Sequence, residues 1–218
     1  MQSFPSQNEV VDSILDGIKT AKQNFSYWTT DELYLSEAPS NFLSIHVAQS
    51  IAKLTNSPEI FMDATIADIL ACSLPFQTPI VEFMNKNQIS QNTIDITLDK
   101  RFDHQNDNDS ISKVVITLKN GVRNAKNEYQ KNIETLCKVV STKDQEKSTI
   151  DYGVFAFYLD ISHKARIKAN KRIEEIIESF DVIVSTHQNL KSNFKGGDII
   201  EVENIGQWCV GCYIIEPK

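Results

Sequence analysis

The hydrophobic positions in the first part of the chain recur at helical intervals. Residues 8–22 carry apolar side chains on one helical face and predict an amphipathic first helix. A second helix is predicted from Ser40, taken as its N-cap, to about residue 54. Residues 60–72 are ambiguous, although 64–72 suits a short helix, and 81–84 fits either a strand or the start of a helix.

From residue 93 onward the pattern becomes typical of strands separated by helices. Residues 93–98 alternate and are β-branched, with Ile94, Ile96 and Leu98 expected on one face. Residues 113–118 predict an antiparallel partner across an Asp/Asn-rich turn at 103–112. The apolar run 152–159 predicts a central strand that is buried on both faces. The remaining predictions are helices at 122–140 and 162–180, a charged loop at 141–149, and strands at 182–184, 199–202 and 209–215.

Helices must cover both faces of a sheet whose central strand is so apolar. We therefore predict an α/β fold, a three-layer α/β/α sandwich around a central mixed β-sheet. The 218 residues fit one domain, with a helical N-terminal region at about 8–90 packed on a core at about 93–215.

Charge and targeting signals narrow the functional classes. The net charge of −7 argues against nucleic-acid binding over the whole surface, because such binders usually carry a basic surplus. The N-terminus lacks the features of a signal peptide, and no apolar run approaches the about 20 residues of a membrane span. We expect a cytoplasmic protein with no membrane partner. The Cys209-x-x-Cys212 pair precedes no helix that could lower a thiol pKa, and it predicts reduced cysteines in a closing strand or tight turn.

One local basic cluster stands out against the acidic background, within the predicted helix 162–180. Two interpretations of it stay open. It is either a solvated helix face paired with Glu174 and Glu175, or a surface that contacts a DNA backbone. The candidate nucleic-acid-binding residues are Lys164, Lys168, Lys171 and Arg172.

The best chemical lead is a pair of residues on the two predicted hairpin strands. Asp95 lies on the first strand, Lys119 follows the second, and a helix and the apolar strand come next. This order resembles the PD-(D/E)xK (restriction-endonuclease-like) nuclease superfamily, in which an acid on one strand precedes acid-x-Lys on the next. The resemblance covers roughly residues 37–160 and implies a restriction-endonuclease-like core.

The resemblance also implies a catalytic site and a cofactor. Asp95 would be a metal ligand and Lys119 would stabilise the developing negative charge, while Glu37, before the second helix, would supply a further acid and metal ligand. Carboxylates converging from neighbouring strands suit Mg²⁺, which takes oxygen ligands and polarises a phosphate.

The sequence departs from the superfamily pattern at Thr117, which stands where the second acid is expected. Glu128 or Glu134 from the following helix, or the Leu118 carbonyl, could replace the missing ligand. Otherwise the resemblance implies a degenerate protein that binds nucleic acid or another protein, such as a component of a bacterial or phage defence or counter-defence system. The alternatives are an active Mg²⁺-dependent DNA endonuclease and an unrelated α/β interaction protein. DNA, a protein partner and a second copy of the chain are the expected partners.

Overall fold

The computed structural model describes residues 3–100 and 111–218. The predicted turn at 103–112 therefore falls mostly outside the described residues. The helices are α1 (Gln7–Trp28), α2 (Ser40–Ile51), α3 (Ile66–Ser73), α4 (Ile80–Lys86), α5 (Asn127–Glu146) and α6 (Ala169–Ser185), with a short 3-10 helix at Leu35–Glu37. The strands are β1 (Glu59–Thr65), β2 (Thr93–Lys100), β3 (Ile111–Lys119), β4 (Tyr152–Ser162), β5 (Leu190–Gly196), β6 (Ile200–Val202) and β7 (Gly206–Pro217).

The described strands form one mixed sheet in the order β1-β2-β3-β4-β7-β5, with β6 also paired to β7. Only β3 and β4 run parallel among these neighbours, and α5 makes the crossover between them, as a parallel pair requires. The carboxyl ends of β3 and β4 consequently lie at the same edge of the sheet. The amino end of β2 lies there too, because β2 is antiparallel to β3.

Hydrophobic clusters cover both faces of the sheet. The first face is covered by α1 and α2, and the second face by α3 to α6. Strand β4 contributes to both, with Ala156 and Tyr158 in the first-face cluster and Phe155 and Phe157 in the second-face cluster. The predicted three-layer α/β sandwich and its buried central strand are confirmed. No helix in the described part of the chain is long and apolar enough to cross a membrane.

The first two predicted helices are present, with different ends. A capping box between Ser6 and Glu9 starts α1, which runs on to Trp28 because no Gly or Pro interrupts it after Gly17. Helix α2 begins at Ser40, but Pro39 occupies the N-cap, so the prediction that Ser40 caps the helix is wrong.

Several other predictions need correction. Residues 60–65 are in a strand, and the helix predicted from 64 begins only at Ile66, where the Thr65 hydroxyl accepts the Asp68 N–H at 3.2 Å and caps α3. Residues 81–84 are helical. Residues 182–184 are the last turn of α6 rather than a strand, and α5 continues through most of the predicted loop at 141–149.

Both later helices also start further along the chain than predicted, so residues 122–126 and 163–168 are loops. Strand β5 was not predicted. Its sequence, Leu-Lys-Ser-Asn-Phe-Lys-Gly, is polar because it is an edge strand, and edge strands commonly carry such residues.

Cys209 and Cys212 lie on β7, and both thiols are free and buried. Cys209 belongs to the second-face cluster and Cys212 to the first-face cluster, so the two side chains project from opposite sides of the strand. Burial raises the pKa of the Cys209 thiol to about 12. The predicted pair of reduced cysteines in a closing strand is confirmed.

Candidate functional site

Asp95 lies where the pairing between β2 and β3 begins. The backbone pairing starts at Ile96 opposite Ile116, one residue after Asp95. Beyond that pair, the Asp95 side chain rather than the β2 backbone contacts β3. Its Oδ2 atom accepts the backbone N–H of buried Leu118 at 2.8 Å. Burial raises the pKa of Asp95, against the opposing effects of this hydrogen bond and of the Lys119 charge. The Asp95 side chain therefore helps to hold β2 and β3 together, through its hydrogen bond with Leu118.

The isoleucines on either side of Asp95 lie on opposite faces of the sheet. Ile96 and Leu98 pack in the first-face cluster as predicted, whereas Ile94 packs in the second-face cluster, so the prediction of one shared face is wrong for Ile94. Since Ile94 and Ile96 lie on opposite faces, the alternation along β2 is interrupted at Asp95, whose carboxylate contacts the backbone of β3.

Lys119 ends β3, and its positive charge acts to lower the pKa of Asp95. Its ammonium lies 3.6 Å from a carboxylate oxygen of Glu128 on α5. Thr117, at the position of the missing acid, is buried with 6% of its surface exposed. The structure thus brings together Asp95, Lys119 and Glu128, one of the two glutamates predicted as replacements.

Glu37 and Glu134 lie elsewhere. Glu37 ends the 3-10 helix, and its Oε2 atom accepts the Tyr34 N–H at 3.0 Å. Leu35 of that helix packs in the first-face cluster, whereas Lys119 pairs with Glu128 of α5 on the second face, so Glu37 and Lys119 belong to different sides of the sheet. Glu134 lies 3.8 Å from Lys138 and 3.4 Å from His187. The assignment of Glu37 as a metal ligand stays a prediction.

Asp63 on β1 was missed by the sequence interpretation. It lies opposite Asp95, between the two cross-strand pairs that flank it, and its negative charge adds to the raised pKa of Asp95. Its backbone has a φ of +55°, an uncommon conformation for a residue other than Gly. Alternation alone could not have found it, because β1 was not recognised as a strand.

These residues give a limited set of metal donors. Within residues 3–100 and 111–218, no group of three or more His, Cys, Asp and Glu side chains is arranged to hold a metal ion. The three-carboxylate centre implied by the resemblance does not fit this arrangement. Asp63 and Asp95 are two carboxylates on paired strands. Proteins often bind Mg²⁺ through only one or two carboxylates, with water and substrate phosphates as the other ligands.

A second polar centre lies on the first face, around Asp160 near the end of β4. Asp160 is only 4% exposed. Arg123 binds it with two hydrogen bonds, from Nε at 2.8 Å and from Nη2 at 3.1 Å, and the Ser36 hydroxyl donates a third at 3.1 Å. This bidentate contact raises the pKa of Arg123. The signal in the sequence was a charged residue directly after an apolar run, since a carboxylate on a buried strand needs a partner.

The loop after β3 brings these three residues together. The Asn120 side chain donates a hydrogen bond to the Leu35 carbonyl. Gly121 has a φ of +72° and lies so close to Ser36 that an added Cβ would be 2.6 Å from the Ser36 Cβ. A glycine at this position therefore lets the loop press against the 3-10 helix and carry Arg123 to Asp160.

The predicted basic residues differ in their surroundings. Lys171 and Arg172 form ion pairs with Glu174 and Glu175 at 3.3 and 2.9 Å, as the solvated-helix interpretation expects. Lys164 and Lys168 instead lie in the loop before α6, are exposed, and have no ion-pair partner within the described residues. Arg166, between them, is likewise exposed and unpaired within that part of the chain.

The chain matches no protein-family model, and comparisons with curated proteins and with solved structures found no significant match. The function therefore has to be inferred from the geometry of the site.

Proposed function

We propose that this chain is a nuclease-like protein that binds nucleic acid without cutting it. The order of β2, β3, α5 and β4, with Asp95 on β2 and Lys119 at the end of β3, supports the nuclease-like part. The observation that carries the proposal is the 2.8 Å hydrogen bond from the Leu118 N–H to Asp95.

That hydrogen bond favours a structural role for Asp95 over a catalytic one. In a metal-dependent nuclease, carboxylate oxygens face the metal and the lysine ammonium faces the reacting phosphate. Here one Asp95 oxygen completes the hydrogen bonding of β3, and the Lys119 ammonium lies beside Glu128. Thr117 contributes a buried neutral hydroxyl where a second charged ligand would be needed.

The loop at 163–168 is the proposed binding surface. Its three basic residues, Lys164, Arg166 and Lys168, project from a segment at the carboxyl end of β4, with Arg123 and Arg172 close by around one cavity. Such clusters bind the phosphate backbone and fix the position of a nucleic acid without specifying its sequence. The overall negative charge would confine binding to this region.

Binding is tested with a double variant, Lys164→Gln with Lys168→Gln, against a matched control, Lys53→Gln with Lys86→Gln. Both pairs are exposed lysines, and neither control residue lies in the loop. Fluorescence anisotropy of labelled DNA at several salt concentrations should give a weaker affinity for the loop variant alone. Its salt-dependence slope should fall by about 0.7–0.9 for each phosphate that the variant no longer neutralises. Equal binding by the two variants would contradict the proposed surface.

The absence of cleavage is tested separately, with plasmid and linear DNA in Mg²⁺ or Mn²⁺. We expect both substrates to stay intact. Cleavage that disappears in Asp95→Asn would refute the non-catalytic part of the proposal and leave the binding surface untouched.

A metal-dependent endonuclease is the second candidate, favoured by the position of Asp63 opposite Asp95. It predicts that Mn²⁺ raises the melting temperature, because a ligand bound only by the folded state stabilises it. The rise should disappear in Asp63→Asn and in Asp95→Asn. An unchanged melting temperature in the wild-type protein would count against this candidate.

A further inference from the structure

Two cavities adjoin on either side of Asp160. The arginine cavity, of about 650 Å³, is lined by Arg123, Asn124, Arg166 and Arg172 among others. The aromatic cavity, of about 250 Å³, is lined by Tyr158 and Trp208 among others. Tyr34, Asp160 and Ile161 line both cavities. The larger volume lies within the about 300–1,000 Å³ of small-molecule sites, and the smaller lies just below it.

The arginine cavity has unused capacity for an anion. Arg123 uses Nε and Nη2 on Asp160, which leaves donors of its five N–H groups free. Arg166 is exposed and has no ion-pair partner in the part of the chain that the structure describes. Arg172 is partly engaged by Glu175. Guanidinium groups bind phosphate oxygens through paired hydrogen bonds, so a phosphate is the ligand that this cavity suits best.

The aromatic cavity suits an uncharged planar group. Tyr158 is buried, and the half-buried Trp208 lies 6.0 Å from it between ring centroids. Tyr34, 41% exposed, stands at the junction with the arginine cavity. The exposed carboxylates of Asp31 and Glu32 also line the aromatic cavity. Lys22 lies there too, 5.7 Å from the Trp208 ring centroid and 3.8 Å from Asp31, so a base would share the Trp208 ring with this ammonium group. The carboxylates of Asp31, Glu32 and Asp160 outnumber that one cation and disfavour a phosphate in this cavity. The two cavities therefore differ in the chemistry that they accept.

We propose that the pair of cavities holds one nucleotide of a single-stranded nucleic acid, with its phosphate in the arginine cavity and its base against Tyr34 and Trp208. This inference rests on the proposed nucleic-acid binding and names the form of nucleic acid bound. A single strand can turn a base into an aromatic pocket, whereas the bases of a duplex are paired and stacked. Asp160 acts as a positioning residue, because it fixes the orientation of Arg123.

Trp208 provides a direct signal for the base. The chain has two tryptophans, so Trp28→Phe leaves Trp208 as the single emitter. We expect a single strand of about 12 nucleotides, within the size range of single-strand binding sites, to quench this emission. The same strand in a duplex, an abasic strand of equal length and inorganic phosphate should each leave the emission nearly unchanged. Quenching by a free mononucleotide but not by the strand would overturn the single-strand assignment.

Two variants separate the phosphate from the base. Arg166→Gln should weaken single-strand binding and reduce the salt slope by about 0.7. Tyr34→Ala should weaken binding about 5- to 150-fold, the range for one stacked base, with the slope unchanged. The matched controls are Lys53→Gln and Tyr27→Ala, the latter an exposed tyrosine outside both cavities.

The outcomes distinguish this inference from the proposed function. If DNA binds, the Lys164/Lys168 variant weakens it, and Arg166→Gln and Tyr34→Ala behave like their controls, the binding surface stands and the nucleotide site is wrong. If neither single strands nor duplexes bind the wild-type protein, both are wrong. Weakening by both cavity variants, with quenching confined to base-containing single strands, supports the inference.

Discussion

Asp95 gives the sharpest test of how this sheet is held together. Replacing Asp95 with alanine removes the acceptor for the Leu118 N–H. The backbone donor of this buried residue is then left without a partner. An unsatisfied buried donor costs about 1–3 kcal/mol. For a chain of this length, each kcal/mol lowers the melting temperature by about 2–4 °C, so Asp95→Ala should melt about 2–12 °C lower.

Asp95→Asn is the matched control, because its carboxamide oxygen can still accept the Leu118 N–H. It also removes a charge that burial disfavours. We expect the free energy of unfolding of Asp95→Asn at pH 7 to equal or exceed that of the wild type. Both variants remove the Asp95 carboxylate that a metal ion would need, so a catalytic role alone would not separate their stabilities.

The pH dependence follows from the raised pKa of Asp95. Between its ordinary and its raised pKa, the folded state holds a proton that the unfolded state has released. The free energy of unfolding therefore falls as pH rises through that window, and it is higher below the ordinary pKa. Asp95→Asn lacks this contribution, so its stability relative to the wild type should increase across the window.

The assay is urea unfolding followed by tryptophan fluorescence, repeated from about pH 3.5 to 7, which spans the ordinary aspartate pKa of about 3.9. The reasoning would be refuted by Asp95→Ala unfolding at the same urea concentration as the wild type. It would also be refuted if Asp95→Asn were as destabilised as Asp95→Ala.

Three further predictions concern other parts of the structure. Arg123→Ala should lower the free energy of unfolding by about 2 kcal/mol, because it removes two hydrogen bonds from the buried Asp160 carboxylate. Urea denaturation measures this loss, and Arg123→Lys should restore part of it. Gly121→Ala should destabilise by about 1 kcal/mol or more, through its positive φ and the close approach to Ser36, whereas a melting temperature equal to the wild type would contradict that close approach. The Cys209 thiol, buried and with its pKa raised to about 12, should react with a thiol reagent only after unfolding, and rapid labelling of the native protein would contradict its placement on β7.

Much of the fold was predictable because its central elements have strong periodic signals. Strand β4 is apolar at nearly every position because both of its faces are covered, and α1 repeats its apolar residues at helical intervals. The edge strands β1 and β5 carry no such signal, since partner strands and helices cover them incompletely. The starts of α5 and α6 were predicted too early in the chain, because Lys126 and Lys168 at their N-caps provide no side-chain capping signal.

The candidate site was only partly predictable, for a different reason. Asp95 and Lys119 could be found because they sit at fixed places on two recognisable strands. Asp63 depended on an unrecognised strand. The ion pair between Arg123 and Asp160 joins residues 37 positions apart, through a loop held by Gly121, and no local pattern encodes such a pairing.

The two polar centres, around Asp95 and around Asp160, differ in their surroundings, and this difference decides which of them can bind a ligand. The centre at Asp95 is closed by its own partners, the Leu118 N–H and the Glu128 carboxylate near Lys119. The centre at Asp160 is also satisfied internally, but it lies between two cavities and leaves guanidinium donors free around them. In the proposed function, the first centre serves stability and the second centre binds the strand. On this view, Asp95→Asn should leave single-strand affinity unchanged, and Arg166→Gln should leave the melting temperature unchanged. Reversal of either result would show that the two centres do not divide these roles.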